Sequence, residues 1–110
     1  MGAGYLDLTD YRTTLDVLIV AFCKDYFHRK SVIESGVGTR RTRMEYEYIN
    51  GRIASAAREI VGDDFEIYIN EIGNALGYAK SNVPYISESG YKSYKRAVKI
   101  NIAKKLHLID

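Results

Sequence analysis

A chain of 110 residues with 46% hydrophobic and 27% charged side chains has the size and make-up of one folded domain, 1–110, and these proportions exclude a disordered chain. Its single cysteine, Cys23, excludes an internal disulfide and makes the cytoplasm the expected compartment. The most apolar run, Val17 to Cys23, is far short of the roughly 20 residues that cross a bilayer, so no membrane partner is expected, and a net charge of +2 is too small to define any partner by itself.

From Thr9 or Asp10, either of which can cap, Tyr11, Leu15, Leu18, Ile19, Phe22 and Tyr26 recur at helical spacing and predict an amphipathic helix over 9–35. His28, Arg29 and Lys30 lie toward its carboxyl end, where the helix dipole favours cations, and Gly36-Val37-Gly38 stops it. A second helix is expected over 39–61, opening at Thr39 and closing at Gly62, with Tyr46, Ile49, Ile53, Ala56, Ala57 and Ile60 as its buried stripe. The mid-helix Gly51 costs about 1 kcal/mol against alanine, and close packing by another helix is the compensation to look for.

Asp63 followed by Glu66 has the capping-box spacing and sits just before Phe65, Tyr68, Ile69, Ile72 and Leu76, which predicts a third helix over 63–76 ended by Gly77. Its acids, Asp63, Asp64, Glu66 and Glu71, face no cation between residues 63 and 77, and the positive helix end is explanation enough for those in the first turn. The stretch 78–87 holds the only proline, Pro84, and continues neither neighbour. Ser87 or Ser89 then caps a fourth helix over 88–107 whose apolar stripe is Tyr91, Tyr94, Val98, Ile102 and Leu106. No segment alternates with the period of a strand, so the fold class is all-α with about four helices, and Leu15, Leu18, Phe22, Ile49, Ile53, Ile69, Ile72, Val98 and Ile102 are the expected shared core.

Enzyme signatures do not come together. The Gly36-x-Gly38 pair lacks the strand and the Lys-Ser/Thr of a phosphate loop, and His28 and His107 stand apart from each other and from Cys23, so neither a cofactor nor a metal is expected. Cys23 beside Phe22 and Tyr26 reads as a small buried hydrophobe, and no two carboxylates are spaced for acid and base work. The ten tyrosines sit mostly on or beside apolar stripes, as Tyr11, Tyr26, Tyr46 and Tyr68 do, and read as core edges.

Two basic groups remain. Arg40, Arg41 and Arg43 open the second helix, where the dipole disfavours them; a solvated turn, paired with the acids of the third helix, is the first account, and a phosphate-contacting patch the second. The other group belongs to the last third of the chain, where residues 78–110 hold seven Lys or Arg against Glu88 and Asp110. Lys92, Arg96 and Lys99 are spaced i, i+4, i+7 on one flank of the fourth helix, with Lys95 at the border of its apolar face. A short helix, a turn and a serine-capped helix rich in Lys and Arg is the order of parts in a helix-turn-helix. There Ser89, Lys92, Ser93 and Arg96 would meet base edges, and Lys95 and Lys99 phosphates.

The stretch ISESGYKSYKRAVKINIAKKLHL, within Glu66 to Leu108, resembles the carboxyl-terminal region of small phage-encoded transcription regulators of the RinA and ArpU type, which is similar to sigma-factor region 4. The resemblance implies a DNA-binding regulator of late phage genes. It departs from the motif at Tyr78 to Ser87, which is longer than the usual three or four residues. Two readings follow from the sequence: a regulator, dimeric, with duplex DNA as its partner, and a helical homo-oligomeric assembly protein whose basic face is only solvated.

Overall fold

The computed structural model describes residues 14–109. Among them the chain is helical, without a strand, in five α-helices: α1 (Asp16–Lys24), α2 (Tyr26–Ser35), α3 (Arg40–Val61), α4 (Phe65–Gly73) and α5 (Glu88–Lys105), with short 3-10 turns at Gly62–Asp64 and Tyr78–Lys80. The expected opening at Thr9, Asp10 and Tyr11 lies outside the described residues. No helix is long and apolar enough to cross a membrane among the described residues.

Helices α1 and α2 are the expected first helix, broken at Asp25 (φ −90°, ψ 0°). The break is held from inside. Arg29, expected only as a cation suited to the carboxyl end of the first helix, is 6% exposed; its Nη2 donates to the Phe22 carbonyl and its Nε to Asn50 Oδ1 (2.7 Å), while Asn50 Nδ2 donates to the Tyr26 carbonyl (3.0 Å). Burial lowers the Arg29 pKa, and the nearby Asp25 charge opposes that shift. The guanidinium is thus satisfied by a broken helix and an amide, so a single buried cation ties α1, α2 and α3 together.

The helix ends follow local chemistry where the sequence announced it. Thr39 caps α3 by accepting from the Thr42 amide (3.1 Å), and Gly36 and Gly62 take the positive φ (74° and 63°) that releases the chain after α2 and α3. The capping box at the third helix does not form. Asp63 and Asp64 lie in the 3-10 turn, and Glu66 turns to α2, accepting from Lys30 Nζ (2.8 Å) and Tyr26 Oη (3.1 Å). These charge-assisted bonds across the fold outcompete a cap to one backbone amide. Nor does α4 run to Gly77: it ends at Gly73, and the bonds Ala75 N to Ile72 O and Leu76 N to Glu71 O close a Schellman turn with Ala75 at φ 53°. Helix α5 ends in the same way at Lys105, two residues short of the expected 107, with His107 at φ 61°.

The core runs between α3 and its neighbours. Ile53, Ala56 and Ala57 of α3, Ile69 and Ile72 of α4, and Val98, Ile102 and Ala103 of α5 are buried with Ile19, Cys23 and Tyr26. Leu15, Phe22 and Ile49, expected within the shared core, are only half-buried and pack against it. Leu18 does not join it and is 37% exposed, because the buried stripe of α1 centres on Ile19 and Cys23, one residue further round the helix. Tyr94, expected on the buried stripe of α5, is 45% exposed, whereas Tyr91 is 1% exposed.

Candidate nucleic-acid interface

Helix α5 starts cleanly because Ser87 accepts from the Gly90 amide (3.1 Å), and Ser87, not Ser89, is the cap. Its inner face is anchored by Tyr91, Val98 and Ile102. That anchoring leaves Ser89, Lys92, Ser93 and Arg96, spaced i, i+3, i+4, i+7, exposed together on the outward side of the first turns. Lys92, Lys95, Arg96 and Lys99 border a shallow depression of about 200 Å³ whose one acid is Asp16 of α1.

The four cations are not equivalent. Lys95 sends Nζ to the Leu76 carbonyl at 2.6 Å and stands over the Tyr91 ring (5.2 Å to its centroid); burial, then repulsion from Lys99, lowers its pKa. Lys99 is paired with Asp16 (3.0 Å) and has only 22% of its side chain exposed. Both therefore hold the fold together, and the assignment of Lys95 and Lys99 as free phosphate ligands needs that correction. Lys92 pairs with Glu88 (2.8 Å) on the helix surface, an exposed i,i+4 contact that a stronger anion displaces easily. Arg96 forms no ion pair among the described residues.

Sequence reasoning missed the residue that sets the position of α5. Glu71, 0% exposed, accepts from Tyr91 Oη (2.6 Å), Ser81 Oγ (2.8 Å) and the Asn82 amide (2.5 Å). Tyr91 Oη also lies 3.0 Å from the Leu76 carbonyl, but its one proton goes to the carboxylate, the stronger acceptor, and Lys95 supplies the carbonyl instead. Burial first, then the bond to Glu71, pushes the Tyr91 pKa up to about 12. The connection, longer than the usual turn of a helix-turn-helix, is thus folded around one buried carboxylate. Tyr78 closes it by donating to the Ile86 carbonyl (2.7 Å).

The secondary patch divides likewise. Arg43 Nη1 donates to the Gly36 (2.9 Å) and Gly38 (2.6 Å) carbonyls, so it satisfies the linker before α3. Arg41 pairs with Glu45 on its own helix (3.5 Å), and Arg40 is exposed. The expected pairing with the acids of the third helix is replaced by these local contacts, while Glu66 is taken by Lys30.

Cys23 is 1% exposed, and burial raises its thiol pKa to about 12, which keeps it from acting as a thiolate. His28 and His107 are exposed and far apart in the chain, and no group of three metal-ligating side chains occurs among the described residues. No protein-family model, curated protein or solved structure matches the chain.

Proposed function

We propose that the chain binds duplex DNA through the outward face of α5, as a transcription regulator of the phage type its carboxyl-terminal sequence resembles. The observation that carries this reading is the joint exposure of Ser89, Lys92, Ser93 and Arg96 on one side of a helix whose other side is locked into the core. Hydroxyls and cations in that spacing suit base edges and phosphates over about two helical turns. The competing reading, an assembly protein with a merely solvated basic face, draws its support from the internal commitments of Lys95 and Lys99.

Those commitments make the test sharper. With only Lys92 and Arg96 released to phosphates, the log–log salt slope of duplex binding is about −1.8 per subunit, where four free cations would give about −3.6. Fluorescence anisotropy across a salt series measures it. Changing Lys92 and Arg96 together to glutamate abolishes binding and leaves the melting temperature in place, since neither side chain enters the core. Absence of duplex affinity for the unaltered chain even near about 50 mM salt, where such contacts are strongest, removes the regulator reading.

A further inference from the structure

Helix α3 has an outer face that no buried residue among the described ones occupies. On the side opposite Ile53, Ala56 and Ala57 lie Met44 (56% exposed) and Tyr48 (53% exposed), followed by exposed Gly51 and half-exposed Ser55. The positions 44, 48, 51 and 55 follow each other at four, three and four residues, the spacing of a helix–helix seam. The half of this face with large side chains borders an open depression of about 630 Å³ along Arg40, Arg41, Met44, Glu45 and Tyr48. The half with small ones borders another of about 330 Å³ along Gly51, Ala54, Ser55, Arg58 and Glu59. A β-carbon added at Gly51 would meet nothing within 4 Å, so no close approach among the described residues accounts for a glycine there.

We propose that this face is where a second copy of the chain docks, with the two α3 helices antiparallel. The large and the small pair are equidistant from the midpoint between residues 49 and 50, so a twofold axis there sets both against each other at once. Met44 then meets the partner's Ser55, and Tyr48 meets the partner's Gly51. A parallel copy would place glycine on glycine and tyrosine on tyrosine, leaving a gap at one level and a clash at the next.

Charge selects the same arrangement. Glu45 and Arg52 lie on one flank of the seam, and in an antiparallel pair each flank faces its own equivalent. Glu45 therefore comes opposite the partner's Arg52, twice over by symmetry. In one copy Arg52 lies over the Tyr48 ring (5.0 Å to its centroid), which already holds the guanidinium at the seam's edge. Arg41 and the partner's Arg58 come to the same level at the two ends; Arg58 is drawn off the seam by the Phe65 ring (4.1 Å), and Arg41 by Glu45. The proposal concerns α3 alone and stands whether or not α5 binds DNA.

Sedimentation equilibrium of the whole chain at micromolar concentration tests it. The unaltered chain is expected as a dimer. Gly51→Phe fills the space reserved for the partner's Tyr48 and yields a monomer with its helical circular dichroism intact. Glu45→Arg and Arg52→Glu each weaken the dimer by about tenfold, and the two together restore it to within about threefold, as expected of a directly coupled pair. A monomer throughout the micromolar range, a dimer indifferent to Gly51→Phe, or a double variant no stronger than the single ones overturns the proposal.

Discussion

Replacing Gly73 with alanine adds one methyl group at the place where α4 and α1 come closest. A β-carbon there lies 2.7 Å from the Lys24 nitrogen and 2.8 Å from both the Cys23 carbonyl carbon and the Lys24 α-carbon. All three are backbone atoms, so no side-chain rotation relieves the overlap; the helices must part by about 0.7 Å to reach the 3.4 Å of ordinary contact. Parting them loosens Ile19, Ile69 and Ile72 together, residues now 0–1% exposed. Overpacking of this kind costs about 1–3 kcal/mol, and where backbone must move the upper part of that range applies. Alanine returns up to about 1 kcal/mol of helix propensity, which leaves a net loss of about 2 kcal/mol and a melting temperature lower by about 8 °C. The same chemical change at Gly51, which has open space around it, keeps the propensity gain and raises the melting temperature by about 4 °C. Thermal and urea denaturation at concentrations where the chain is monomeric compare the two. Equal stability of Gly73→Ala and the parent, or equal losses at both glycines, would show that the α1–α4 contact is not as tight as these distances require.

Glu71→Gln keeps the volume but turns an amide group toward the Ser81, Asn82 and Tyr91 donors, and should cost about 2 kcal/mol, read from the urea midpoint; a neutral outcome would mean that the carboxylate does not organise the connection. Stability should fall at both ends of the pH scale. The Lys30 bond holds Glu66 below its ordinary 4.5, so the contribution of that group is present above 4.5 and lost as pH falls through the depressed value. Burial raises Tyr26 and Tyr91 from 10.0 to about 12, so theirs is present below 10 and lost between 10 and 12. Denaturation midpoints across pH should show a plateau between these limits, and Glu66→Gln should flatten the acid side; an unchanged acid side in that variant would assign the loss to other carboxylates.

The helices were legible because their signals are local. Spacing of apolar residues located α3 and α5, and Thr39, Gly36 and Gly62 marked ends through backbone chemistry that needs no distant partner. Signals failed where a local rule met a long-range competitor. The capping box at Asp63 has the right letters, yet Lys30 and Tyr26, far off in the chain, claim Glu66. Arg29 and Asn50 look like surface residues in isolation and become buried only as a pair. Gly51, expected at a close helix contact, is open among the described residues, and Gly77, expected to end the third helix, lies past it, whereas Gly73 carries the close contact. The basic row of α5 was legible as a row, but which of its members are free was not, because Asp16 and the Leu76 carbonyl reach it from other elements.

The buried carboxylate of Glu71 gives the Tyr78–Ser87 connection a property its composition hides. Its Asn82 amide points inward to that carboxylate, so this one proton in a proline-bearing surface loop should exchange with solvent on the schedule of the core, not on that of a loop. A segment tethered at Ser81 and Asn82 to the same carboxylate that holds Tyr91 of α5 cannot act as a hinge. Helices α4 and α5 then pivot together or not at all, and any surface that meets α5 must accept the angle at which α4 delivers it.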